Sequence, residues 1–186
     1  MKALRQYIRK VISESHFPLA GVDTTRIHHS RSGSRVQGGG LDVPQISEFS
    51  QSVGPKPDGL WYACQDGSST SWEDFCKYEM SSGYKYDSTY EVILNDYNIL
   101  FIPDDHHFEK FYKMYSVNHP ADPDGTRGFD KMIDWPKVAS HYAGIEICPY
   151  RSNKRNDDDS FWYYGWDVAS GCVWSPEGIK ELKSKC

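Results

Sequence analysis

Apolar positions along this chain fall into short runs of period two, broken by clusters of turn-forming residues. Thr24-Thr-Arg-Ile-His-His-Ser30 reads as a strand or strand end. Leu60-Trp-Tyr-Ala63 reads as an apolar strand entered through the turn Pro57-Asp58-Gly59. Tyr90-Glu-Val-Ile-Leu94 and Ile99-Leu-Phe-Ile102 predict strands on either side of Asn95-Asp-Tyr-Asn98. Ile145-Glu-Ile147 alternates like a strand, and residues 168–174 contain the last one. Helical spacing is read over 71–80, with Ser71 as N-cap and Asp74 in the capping-box position, and over 104–115. A further helix is read within 129–142, broken at Pro136, and a terminal helical turn over 176–182. Residues 31–58 are rich in Ser, Gly and Pro and predict a long loop, with one short turn or helix over 45–52. The chain shows no internal repeat. Strands predominate with helices between them, which predicts one α+β domain over 15–186 with a mixed or antiparallel sheet. No GxGxxG or Walker-type loop follows a strand, so the common doubly wound nucleotide folds lack support.

Composition narrows the picture. Six Trp, thirteen Tyr and eight Phe in 186 residues supply enough aromatic mass for a core and exclude a disordered chain. No run approaches the roughly 18 apolar residues of a membrane span, so no membrane partner is expected. A net charge of −5 argues against a general nucleic-acid binder. The five cysteines are widely spaced, with no CxxC pair, and are read as reduced thiols in a cytosolic setting. Residues 1–14 form a separate unit: Leu4, Ile8, Val11 and Ile12 share one helical stripe among Lys2, Arg5, Arg9 and Lys10. The segment is read either as a small basic helix packed on the domain or as a leader.

Three constellations of residues carry candidate chemistry. His28, His29, His106, His107, His119 and His141 invite a metal site, but adjacent histidines on a strand point to opposite faces, so no metal is expected. Cys64 lies between a strand and a helix, where a thiolate nucleophile would be stabilised, yet no hydrolase signature surrounds it. The third constellation is more specific. Thr25-Arg-Ile-His-His-Ser-Arg31 resembles the Leu-x-x-His-Gly-Ser-Arg segment that opens the ADP-ribosyltransferase domain of the poly(ADP-ribose) polymerases. Gly59-Leu-Trp-Tyr-Ala63 is similar to that family's Gly-Ile-Tyr-Phe-Ala strand, and Ser71-Trp-Glu-Asp-Phe-Cys76 to its Ser-x-x-Tyr-Cys helix. Tyr142-Ala-Gly-Ile145 and Cys172-Val-Trp-Ser-Pro-Glu-Gly-Ile-Lys180 resemble the phage and bacterial ADP-ribosyltransferase-like domains. These pieces occur in the family's order over residues 25–180. The leader-like segment also resembles those of head-packaged proteins of T-even-like phages, and Ile12-Ser13-Glu14 fits their Leu/Ile-x-Glu cleavage pattern.

The resemblance implies a split sheet and NAD as substrate, without a metal. It places His28 on a ribose hydroxyl and the backbone of His29 on the nicotinamide amide, with Ser30 beside them. His29 stands where the family has Gly. Trp61 and Phe75 would sandwich the nicotinamide, with Tyr62 as a neighbour able to substitute, and Ser71 would contact the amide. The catalytic Glu of the family falls on Ser170, a neutral hydroxyl; Glu146, on the preceding strand, is the favoured replacement and Asp167 the other. The implied activity is transfer of ADP-ribose to a macromolecule, a host protein ahead of a nucleic acid, by a monomer in the phage head or the bacterial host cytoplasm. The alternative is an inactive relative of the same fold acting in binding or virion structure.

Overall fold

The computed structural model describes residues 17–30, 48–67, 70–80 and 86–185. The leader-like segment 1–14, most of the Gly-rich loop and Cys186 lie outside the described residues. Within them the chain is a single α+β domain built on a mixed seven-stranded sheet and a small antiparallel one. The strands are β1 (Thr25–Ser30), β2 (Val53–Gly54), β3 (Leu60–Gln65), β4 (Ser88–Leu94), β5 (Ile99–Ile102), β6 (Ser116–Val117), β7 (Met132–Asp134), β8 (Gly144–Ile147), β9 (Ser170–Val173) and β10 (Ile179–Lys185). The helices are α1 (Trp72–Tyr78), α2 (Asp105–Tyr115), α3 (Trp135–Ala139) and α4 (Ser152–Arg155). The large sheet runs β10-β4-β1-β3-β9-β8-β5, and β2-β7-β6 forms the small one. Every pairing in them is antiparallel except β5 with β8.

Strands β5, β8 and β9 are buried along their whole length; β5 reads as an unbroken apolar run, whereas β8 alternates around Glu146. Leu100, Ile102, Ile145 and Ile147 face an aromatic core with Trp135, Trp162 and Trp166. Helix α2 closes that core with Phe108, Phe111 and Tyr115, spaced three and four apart on one stripe, behind an Asp104 N-cap. The opposite face carries Leu60, Tyr62, Val92, Leu94 and Phe101. Gly21 lies against it, where a Cβ would collide with the Glu146 carboxylate and the Phe101 ring.

Four expectations are corrected. Only residues 176–178 are helical after Ser175; Ile179–Lys185 is an edge strand on β4, where long-range pairing overrides the helical spacing of Ile179 and Leu182. No helix forms over 48–52, and Pro136 starts α3 rather than breaking a longer helix, because its missing N–H costs nothing in the first turn. Cys64 and Cys148, read as free thiols, are bonded to each other, which joins β3 to the end of β8; Cys76 and Cys172 are free and buried. Cys64→Ala is expected to lower the free energy of unfolding by about 2–4 kcal/mol, and reductant to lower the wild type by a similar amount. A urea midpoint unmoved by either would overturn the structural role of this bond.

Candidate functional site

The ladder between β1 and β3 ends at Ile27↔Ala63. Beyond it β1 continues to Ser30 against β4, while β3 continues back to Leu60 against β9. The two strands part, and a cleft of about 320 Å³ lies where they do. That volume is in the range of small-ligand sites.

His28 is the first β1 residue past the last pair, and it lines the cleft. Its Nδ1 lies 2.7 Å from the Trp61 carbonyl oxygen, which can only accept, so Nδ1 carries the proton. The other nitrogen, Nε2, is then a bare acceptor, and it is buried without a partner. Burial lowers the His28 pKa against the pull of the Trp61 carbonyl, with nearby His29 adding to the lowering, so the ring is neutral at pH 7. Such an atom fits a hydroxyl donor from a ligand.

Trp61 and Trp166 meet edge to face in the lining, with centroids 4.8 Å apart. Trp166 Nε1 is a second buried polar atom without a partner. Trp72, the first residue of α1, also lines the cleft and stacks on Phe75 at 5.6 Å, so Phe75 stands behind it. Ser71 does not line the cleft; its hydroxyl caps α1 by accepting from the Asp74 amide. Trp72, three residues before Phe75 on α1, therefore lines the cleft where Phe75 was expected.

His29 lines the cleft as expected, and its bulk is held to one side. Nδ1 lies 3.2 Å from Thr89 Oγ1, Nε2 lies 3.1 Å from Glu73 Oε1, and the ring packs on Tyr86. Ser30 continues the β1–β4 ladder opposite Ser88 and is not in the lining.

Of the three expected catalytic groups, two reach the cleft. Ser170 pairs with Ala63 across β9 and β3, and its hydroxyl donates to the Val168 carbonyl at 2.9 Å. Asp167 lines the cleft with a quarter of its side chain exposed, 3.1 Å from Arg155 Nη2. Glu146 does not reach it. The alternation of β8 turns Glu146 away from Ile145 and Ile147 to the other face, where Arg26 Nε and Nη2 hold its oxygens at 2.5 and 2.9 Å. Tyr62 borders the cleft, and its hydroxyl donates to the same carboxylate at 3.0 Å. Burial pushes the Glu146 carboxyl up, against the pull of Arg26 and Tyr62. Cys64, Glu146 and Cys148 gather as a group of metal-type donors, but the sulfurs are bonded together and the carboxylate is engaged by Arg26.

Trp72, Trp166 and Lys56 line the cleft at positions to which the resemblance assigns no role. Trp166 sat inside Phe161-Trp-Tyr-Tyr-Gly-Trp-Asp167, whose exposed members are Phe161 and Tyr164 while Trp162 and Tyr163 fill the core. Lys56 lies in a Pro-rich entry to β3 that carries no motif, and its Nζ stands 5.2 Å over the Trp61 ring. Among the described residues, no helix is long and apolar enough to cross a membrane.

Two outcomes test this geometry. Glu146→Gln leaves Arg26 as an uncompensated buried charge and is expected to cost about 3–5 kcal/mol of stability, measured by urea unfolding. A stable Glu146→Gln protein would overturn the structural assignment. His28 binds its proton more weakly folded than unfolded, so it contributes no pH dependence above about pH 6.5. Stability falls as pH drops from there toward the lowered folded value, because the unfolded chain takes up the proton first. His28→Asn should flatten that limb of the profile, and an unchanged slope would show that other groups produce it.

Comparison with protein-family models, with curated proteins and with solved structures finds no match.

Proposed function

We propose that the cleft binds NAD and that the chain is an ADP-ribosyltransferase acting on a macromolecule. The observation that carries this reading is the unpartnered, buried Nε2 of His28 in a cleft walled by Trp61 and Trp72. Three further features support it. The chain's His28 and Trp61 segments, which resemble the family's, meet in one cavity. The sheet opens between the two strands that carry them. The aromatic walls suit the electron-poor nicotinamide ring.

In this reading His28 Nε2 accepts from a ribose hydroxyl and the tryptophans hold the ring. The bond from ribose C1′ to the nicotinamide nitrogen breaks, and its electron pair leaves with nicotinamide. An acceptor nucleophile then bonds to C1′ and gives up its proton. A carboxylate near C1′ stabilises the positive charge that develops as the bond stretches. Asp167 is the carboxylate in the cleft lining, which moves the acid from Glu146 to Asp167. The acceptor favoured here is a host protein.

One observation favours a second reading, an NAD-binding protein without transferase activity. Ser170 holds the position of the family's Glu and is neutral, and Asp167 is engaged by Arg155.

Isothermal titration with NAD, together with labelled NAD and a bacterial lysate, separates these readings. Wild type is expected to bind NAD and transfer label. His28→Ala should weaken binding by about tenfold or more, as for a lost buried hydrogen bond. Asp167→Asn should retain binding and lose about 10²–10³ in rate. Binding without transfer by the wild type would select the second reading. A folded wild type that does not bind NAD would sink both.

A further inference from the structure

The geometry points to Lys56 as the group that recognises a phosphate at the mouth of the cleft, so that the site selects phosphorylated nicotinamide ligands over nicotinamide riboside. This rests on the NAD reading and adds a residue and a discrimination that the resemblance does not supply.

The cleft is graded from inside to outside. His28 is 5% exposed at its inner end, whereas Lys56 is exposed and lies on the entry to β3. A volume of about 320 Å³ is at the lower end for ligand sites, so it suits one nucleoside half of a dinucleotide and leaves the phosphates at the mouth. Lys56 is positioned there by the fold. Its ammonium stands over the Trp61 ring at 5.2 Å, a cation–π distance. Its stem runs along the backbone at Gly165, where an added Cβ would stand 3.0 Å from Cε.

The charge of Lys56 is also unanswered. Among the described residues it forms no ion pair, whereas neighbouring cations do: Arg155 with Asp167, Arg151 with Asp105, and Lys154 with Glu109 and Asp157. The Asp167 carboxylate attracts Lys56 but is held by Arg155. Surrounding protein lowers the ammonium's pKa, with the Asp167 carboxylate opposing that effect. A crowded ammonium without a counter-ion gains from an arriving anion, and an ammonium is a compact point charge suited to phosphate oxygens.

The test uses the full chain and isothermal titration with nicotinamide riboside, nicotinamide mononucleotide and NAD. Lys56→Met keeps the stem and removes the charge; Lys56→Arg keeps the charge. Wild type is expected to bind the mononucleotide and NAD about tenfold or more tightly than the riboside. Lys56→Met should bring the three affinities to within about twofold of one another, and Lys56→Arg should restore most of the preference. Raised salt should reduce the preference as well, since the pair is at the surface. If wild type binds NAD but Lys56→Met weakens all three ligands alike, or none, the phosphate assignment is wrong and the NAD reading stands. If folded wild type binds none of the three, the NAD reading fails and takes this inference with it.

Discussion

The bidentate pair between Arg26 and Glu146 fixes how the central strands can be arranged. Glu146 is 1% exposed, and an ionised carboxylate at that depth is tolerable only if both oxygens are engaged. Arg26 therefore reaches from β1 beneath β3 and β9 to β8, and the Tyr62 hydroxyl supplies the third contact on the way. Gly171 makes the path passable, because a Cβ there would collide with the Tyr62 ring. Three strands, β1, β3 and β8, are thus tied together by polar contacts on one face, across β9. Trp61, Ala63 and Ser170, which alternate to the other face, are left to line a cleft.

That arrangement also explains why the cleft begins at His28. Past Ile27 the β1 backbone no longer pairs with β3, so the Trp61 carbonyl would lose its ladder partner. The His28 ring takes that place through Nδ1. A buried carbonyl without a donor would cost more than the ordering of one side chain, so the strand separation and the histidine orientation support each other. Satisfying the carbonyl with Nδ1–H is what leaves Nε2 as an acceptor. The tautomer of the ring follows from the parting of the strands, without any help from a second charged group.

Much of this was legible in the sequence, and what was not has definite causes. The strands at 60–65, 88–94, 99–102 and 144–147 and the helices behind Ser71 and Asp104 follow from local periodicity and capping, which need only neighbouring residues. The placement of His28 with Trp61 came from the resemblance of short segments, not from spacing. Glu146 shows the limit: alternation puts it opposite Ile145 and Ile147, but which face of β8 borders the cleft depends on the whole strand order. Cys64 and Cys148 are 84 residues apart and meet only because β3 and β8 flank the start of β9. Ile179 and Leu182 are spaced as on a helix, and only the free edge of β4 makes them a strand. These three misses concern partners far away in the chain.

The chemistry of the cleft turns on Ser170 and the wall that carries it. Residues 166–170 enter β9 between β3 and β8, and the Cys64–Cys148 bond ties those two neighbours together at that point. Cys64 N–H also donates to the Ala169 carbonyl, so the wall is held by backbone, covalent and side-chain contacts at once. On this rigid segment Ser170 Oγ donates to Val168, while its lone pairs remain available to accept. A hydroxyl in that state can orient a ligand hydroxyl but carries no charge to oppose a developing cation. The negative charge in the lining belongs to Asp167, three residues earlier, where Arg155 offsets it and Lys56 stands nearby. Any transfer reaction here must therefore draw its stabilising charge from the outer part of the cleft, closer to the mouth than the Ser170 position. Under the proposed reading the ligand is held at the inner end by His28 and the tryptophans, and reactivity depends on how far the Arg155 pair leaves Asp167 free to act.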